Sequence, residues 1–261
     1  MTDSQIIVSV ADRLEQAEAQ CRPVPPFAAE LGTADVGAAY AVQAELTARG
    51  LARGRRLVGR KVGLTSEAVQ RQLGVDQPDY GALFADMEVV HDGVLETAGL
   101  IQPKVEGEIA FVLGRGLPTP DATIAEVMAA IDFAVAALEI VDSRVADWKI
   151  GIVDTIADNG SSARFVLGLE PRRLTDLDLE TCGMILTVDG LPASVGSGAA
   201  CLGHPLRAVH WLARTLATMG APLKAGDLVL SGALGPMVSV RAGQQVEARI
   251  GGFAPVRVRF G

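Results

Sequence analysis

The sequence predicts an α+β fold: an antiparallel-rich set of strands preceded by a helical segment. Three observations point there. Helical periodicity is concentrated ahead of residue 57; short, turn-linked apolar runs dominate after it; and regular strand–helix alternation is missing. At 261 residues the chain can bury a substantial core, and the change of period at Leu57 divides it into an N-terminal helical lobe (1–56) and a β-rich domain (57–261).

Taken in order, Ser4 is placed to cap a helix whose Ile6, Ile7, Val10, Leu14 and Ala17 share one side and which ends before Pro23, Pro25 and Pro26. A second helix follows Thr33, carries Val36, Ala39, Tyr40, Val42 and Leu46, and stops at Gly50. The small residues of both helices allow close packing either within the chain or against a neighbouring subunit. Leu57 to Leu64 reads as a strand, Thr65-Ser66-Glu67 opens a short helix ending at Leu73-Gly74, and Gln77-Pro78-Asp79-Tyr80-Gly81 reads as a turn or loop. Strands follow at 105–113 and 134–141, with Thr123-Ile124-Ala125-Glu126 in capping-box form opening a helix between them. A long connection, Ser143 to Ser162, leads to a strand at 164–167. Met184 to Val188 then runs into Asp189-Gly190, a hairpin signal. Pro205 suits the first position of a helix bearing Leu206, Val209, Leu212, Leu216 and Met219 and closed by Gly220. Two similar turn-and-strand units, 225–230 and 242–248, come near the end.

Hydrophobic residues at 49% and charged residues at 21% fit a folded globular enzyme. A net charge of −8, with no basic cluster beyond Arg53-Gly54-Arg55-Arg56, argues against a nucleic-acid partner, which needs a cationic face. Cys21, Cys182 and Cys201 are scattered and odd in number, which suits a reducing compartment. The N-terminus lacks a basic leader and no apolar run approaches the roughly 18 residues of a membrane span, so the expectation is a cytoplasmic protein without membrane contact.

The most informative feature is a set of three glutamates in apolar runs. Glu106 and Glu108 interrupt Val105 to Leu113, and Glu139 interrupts Ala134 to Val141. On strands, the period of two puts Glu106 and Glu108 on one face, their Cα atoms roughly 7 Å apart, and aligns Glu139 with Val135, Ala137 and Val141. A Glu-x-Glu pair alone also fits the solvated face of an edge strand. Glu139 does not, because its flanks look buried on both faces. Buried carboxylates need compensation, and an all-oxygen donor set selects a hard divalent cation, Mg²⁺ or Mn²⁺. Metal-ligand spacing is absent from His91, His204 and His210, read as a turn residue, a helix-start residue and a helix-face residue.

Several blocks occur in a recognisable order: Gly59-Arg60-Lys61-Val62-Gly63-Leu64-Thr65, Leu73 to Gly81, Glu106-Gly107-Glu108, Glu139-Ile140-Val141-Asp142-Ser143-Arg144, Ala157-Asp158-Asn159, Cys201-Leu202-Gly203-His204-Pro205 and Leu230 to Pro236. Together they resemble the 2-keto-4-pentenoate hydratase family, which includes 4-oxalocrotonate decarboxylases, within the fumarylacetoacetate hydrolase superfamily. The resemblance implies a fumarylacetoacetate hydrolase-like roll of mixed β-sheets with helices outside, making 57–261 a metal-dependent catalytic domain. It implies Glu106, Glu108 and Glu139 as metal ligands, Lys61 facing the substrate, and Asp79 in acid/base chemistry. Asp158, Asn159 and Ser161 would border the substrate pocket, with Ser231 as a further wall. Gly160 stands where the family more often has alanine.

Read from residues alone, Lys61 also fits a solvated surface charge and Asp79 a turn former; the family motif is what assigns them to the site. The implied reaction, in aromatic meta-cleavage catabolism, turns 2-hydroxypenta-2,4-dienoate into 4-hydroxy-2-oxopentanoate. A cation chelated by the substrate's carboxylate and 2-oxygen would stabilise an enolate and would disfavour the Lys61 ammonium beside it. The rivals are a 4-oxalocrotonate decarboxylase, a carbon–carbon bond hydrolase, and a non-catalytic subunit supporting a pathway enzyme. The hydrolase ranks below the decarboxylase because no histidine lies between His91 and His204 to serve a His/Glu pair. The resemblance also implies a homo-oligomer, pentameric or decameric. Trp148-Lys149 fits either a loop anchor or a lid element.

Overall fold

Residues 3–66, 70, 71, 75 and 77–261 are described by a computed structural model. Helix α1 (Asp3–Gln20) buries Val10, Ala11, Leu14 and Ala17, the side marked by the apolar spacing. Ser4 lies inside its first turn and does not cap it. After a single turn, α2 (Ala28–Leu31), comes α3 (Val36–Ala52), capped by Asp35, whose carboxylate accepts the Ala38 N–H at 2.8 Å. Gly50 does not stop this helix. It lets Phe84 pack close: a Cβ there would stand 3.0 Å from the Phe84 ring. The helix expected from Thr65 to Gly74 lies largely outside the described residues.

Among the described residues a seven-stranded sheet runs β2 (Asp79–Phe84), β1 (Leu57–Gly63), β9 (Leu228–Leu230), β4 (Lys104–Leu113), β5 (Ile131–Val141), β6 (Ser162–Leu167), with β10 (Val238–Ser239) also on β4. A five-stranded sheet runs β3 (Val94–Leu95), β12 (Val256–Phe260), β11 (Gln245–Ile250), β7 (Gly183–Val188), β8 (Leu191–Ser197). Pairing is antiparallel except β1 with β9 and β3 with β12, so the α+β class holds. Gln77 to Gly81 is not simply a turn. Asp79 opens β2, because Tyr80 to Phe84 is a buried run that pairs fully with β1, Val62 opposite Tyr80 and Gly63 opposite Asp79.

Helix α4 (Ile124–Ala130) has the expected capping box, Thr123 and Glu126 bonding reciprocally. The connection after β5 holds helix α5 (Ile152–Ala157), buried at every position. Helix α6 (Pro205–Thr218) starts as expected, with His204 Nδ1 accepting the Leu206 N–H at 3.2 Å and Pro205 in its first turn. Asp189 and Gly190, with φ of 52° and 79°, make the tight turn between β7 and β8.

Alternation along the strands decides what faces where. Val105, Ile109, Phe111, Leu113, Ala134, Ala136, Leu138 and Ile140 enter the main core, shared with α6 and the five-stranded sheet. Ala110, Val135 and Ala137 enter a second cluster with Leu83, Phe165 and Leu230. Glu106, Glu108 and Glu139 belong to that second face. Helices α1, α3 and α5 share a third cluster containing Val10, Leu14, Phe27, Val42, Val153 and Ile156, so the N-terminal helices pack on the connection that follows β5. No described helix is long and apolar enough to cross a membrane.

Candidate metal centre and its cavity

In the β4–β5 ladder Glu106 stands directly opposite Glu139, and Glu108 follows Glu106 by one period on the same face. The three offer carboxylate oxygens within 4.8 Å of one another, the only such His/Cys/Asp/Glu group among the described residues. Glu108 and Glu139 are fully buried and Glu106 is partly so. Glu108 Oε2 accepts the Gly232 N–H at 2.8 Å; Glu108 Oε1 and Glu139 Oε1 have no hydrogen-bond partner. Burial, followed by the charge of Glu139, pushes Glu106 up to about 7 and Glu108 well above the usual carboxylate range. Buried oxygens that accept no hydrogen bond and converge at this distance fit a hard divalent cation, which would supply positive charge to the cluster.

Lys61 projects from β1 into the same space, its Nζ 3.4 Å from the Glu139 carboxylate. Burial pulls its pKa down, but Glu139, Asp79, Glu106 and Glu108 together outweigh that and raise it. These carboxylates favour the ammonium, whereas a cation held among them would act in the opposite sense, the one the sequence reading expects. Asp79 enters from β2 beside it. Its Oδ1 is buried without a partner, and its Oδ2 accepts from Thr155 Oγ1 at 3.4 Å. Burial raises the Asp79 pKa, with Lys61 pulling the other way. Gly63 leaves room for this carboxylate, since a Cβ there would sit 2.1 Å from Asp79 Oδ1.

Lys61, Asp79 and Glu106 border a cavity of about 480 Å³ that is also lined by Thr155 and Ser161 and by an apolar wall including Leu64, Trp148 and Met237; Glu108 and Glu139 are not part of its lining. Asp158, Asn159 and Ser231 are absent from that lining. Asp158 lies behind Ser161, where it accepts from Ser143 Oγ, the Arg144 N–H, Arg144 Nε at 2.5 Å and Ser161 Oγ. The Asn159 amide bonds both the N–H and the carbonyl of Ala82, at 2.7 and 3.0 Å, and so extends the edge of β2. Ser231 is fully buried, with its hydroxyl on the Gly232 carbonyl; its chain neighbour Gly232 holds Glu108.

Asn159, Gly160 and Ser161 all have positive φ, 57°, 60° and 55°. This run carries Gly160 against the Lys61 stem, where a Cβ would lie 2.6 Å from Cε. Thr155, Gly232 and Arg144 are functional neighbours that sequence reasoning left without roles. Arg144 sits inside a family block, but nothing in sequence marks Thr155.

Residues 38–260 match the fumarylacetoacetate hydrolase C-terminal family model. The chain is 54% identical over 250 residues to the TodF product hydratase of Pseudomonas putida F1, covering 96% of this chain and 93% of the relative. It is 51% identical over 260 residues to 2-keto-4-pentenoate hydratase of Burkholderia vietnamiensis G4, covering 100% and 99%. Among solved structures it is similar to 4-oxalocrotonate decarboxylase from Pseudomonas putida G7, complexed with magnesium and adipate, with a TM-score of 0.95, 36% identity, and coverage of 100% and 99%.

Proposed function

The chain belongs to the 2-keto-4-pentenoate hydratase family within the fumarylacetoacetate hydrolase superfamily, and from that premise we propose that it is a divalent-metal-dependent hydro-lyase of aromatic catabolism. It converts 2-hydroxypenta-2,4-dienoate to 4-hydroxy-2-oxopentanoate. One observation carries this reading: Lys61, Asp79 and Glu106, the last a member of a three-carboxylate cluster, line one cavity in a chain half identical over nearly its whole length to hydratases.

Glu106, Glu108 and Glu139 would hold the cation, for which their oxygen donors favour Mg²⁺ or Mn²⁺. When bound, it supplies electrophilic stabilisation of negative charge on the substrate's 2-oxygen. Lys61, which lines the cavity with its Nζ 3.4 Å from the Glu139 carboxylate, is the residue we assign to deliver a proton to C5, giving 2-oxopent-3-enoate. Water then adds at C4 and a second proton reaches C3. Asp79, with Oδ1 unengaged and Oδ2 held by Thr155, is placed to orient that water and take its proton. Ser161 borders the cavity, whereas Asp158 and Asn159 act on it through the loop they anchor.

The reading includes a cytoplasmic homo-oligomer larger than a dimer, pentameric or decameric, able to associate with a pathway enzyme. Exposed apolar residues on the β7–β8 hairpin, Ile185, Leu191 and Val195, support an assembly. The test of the activity is ultraviolet loss of the dienol with Mg²⁺ present, followed by identification of the product. Formation of 4-hydroxy-2-oxopentanoate is expected. Release of CO₂ from 4-oxalocrotonate with the dienol left unhydrated would replace the hydratase by the decarboxylase.

A further inference from the structure

The reacting groups Lys61, Asp79 and Glu106 share their cavity with a largely apolar wall. The volume is about 480 Å³. A dienoate of eight heavy atoms fills at most ~240 Å³, taking the liquid-water share of ~30 Å³ per heavy atom as an upper bound. Room remains, and much of the surrounding wall is apolar: Leu64, Val141, Trp148, Ile150, Pro236 and Met237. Among the described residues Lys61 is the sole cation in the lining, and it is engaged by Glu139. Residues 67–69, 72–74 and 76 contain no Lys, Arg or His.

A second cation stands just outside. Lys104, two residues before Glu106 on β4, lines a neighbouring depression and not the cavity, while Trp148 lines both. The Lys104 Nζ lies 4.2 Å from the centroid of the Trp148 ring, and the indole N–H donates to the Gln102 carbonyl at 3.0 Å. Asp147 and Trp148 both take left-handed backbone, φ 56° and 54°, a conformation costly for non-glycine residues and sustained only where the surroundings hold it. Trp148 is therefore an anchored partition.

We infer that Trp148 is a specificity-determining residue: it walls Lys104 off from the cavity, which accordingly takes 2-hydroxydienoates whose far end is hydrogen or an uncharged alkyl group and rejects those ending in a second carboxylate. This deepens the hydratase reading and rests on it. A distal carboxylate would be desolvated against apolar side chains, with Lys61 already engaged by Glu139 and no further cationic side chain among the described lining residues. Removing the indole would open the way for the Lys104 ammonium to supply that charge.

The test is calorimetric binding of saturated 2-oxo acids, which cannot be hydrated, to the Mg²⁺-loaded protein. In the wild type, 2-oxohexanoate should bind at least as tightly as 2-oxopentanoate, and 2-oxoadipate at least tenfold more weakly than 2-oxohexanoate. W148A should improve 2-oxoadipate at least tenfold relative to 2-oxohexanoate, and W148A/K104M should lose that gain. K104M alone and W148F should keep the wild-type order, and these two decide the matter if W148A does not fold. The inference is overturned if wild-type protein binds 2-oxoadipate as tightly as 2-oxohexanoate, if K104M alone selectively weakens 2-oxoadipate, or if the W148A gain survives loss of Lys104. Failure of the hydratase reading looks different: the binding order persists, but 2-hydroxypenta-2,4-dienoate is not hydrated.

Discussion

At the scale of single residues, Glu108 and Asp79 make separable predictions. Glu108 is fully buried, held by one backbone N–H, and crowded by two other carboxylates. Glu108→Gln should abolish Mg²⁺ binding measured by calorimetry, while the circular dichroism spectrum and the melting temperature of the metal-free protein are retained, because the change removes an uncompensated charge. Asp79→Asn keeps the shape and removes the base. It should lower kcat about 10²- to 10⁴-fold, the usual span of acid/base catalysis, with a much smaller change in KM. An equal loss carried entirely in KM would make Asp79 a binding group. The three glutamates were legible in sequence because polar residues at period two in apolar runs have few physical explanations. Asp158 and Asn159 were legible as a motif but not in direction, since the left-handed run from Asn159 to Ser161 turns their side chains onto the protein.

At the scale of elements, the site depends on how the connection after β5 is tied down. The Arg144–Asp158 pair is buried, and the Arg144 guanidinium also donates to the Asp158 and Ser162 carbonyls, closing the ends of this connection on one another. Asp158→Ala leaves a buried guanidinium uncompensated and should cost about 3–5 kcal/mol in chemical denaturation. Asn159→Ala removes two hydrogen bonds to β2 and should cost about 1–3 kcal/mol. Both variants should still bind Mg²⁺ under conditions where they remain folded. Loss of Mg²⁺ binding from a folded Asn159→Ala protein would show that the loop shapes the metal centre directly. The strands β4 and β5 and helices α1, α3, α4 and α6 were readable from periodicity, with starting signals that held for α4 and α6. Strand β2 was obscured by the turn-like Gln77-Pro78-Asp79, and the two-residue strands β3 and β10 are too short to carry a period.

At the scale of the whole molecule, composition and motif order indicated an acidic α+β metalloenzyme, and strand register explains why one face of one sheet became its site. Residues distant in sequence, Lys61, Asp79, Glu106 and Glu139, meet because β2, β1, β4 and β5 lie in one sheet, with short β9 between β1 and β4. Such juxtaposition has no local sequence signal. Light scattering at micromolar concentration should give a mass above that of a dimer, and a monomer would contradict the proposed assembly. The most direct test of the central claim is product analysis in D₂O with protein stripped of metal and then titrated with Mg²⁺. Turnover of 2-hydroxypenta-2,4-dienoate should appear only with the metal and should yield 4-hydroxy-2-oxopentanoate deuterated at both C3 and C5. Full turnover by the stripped protein, or a product lacking deuterium at either carbon, would contradict it.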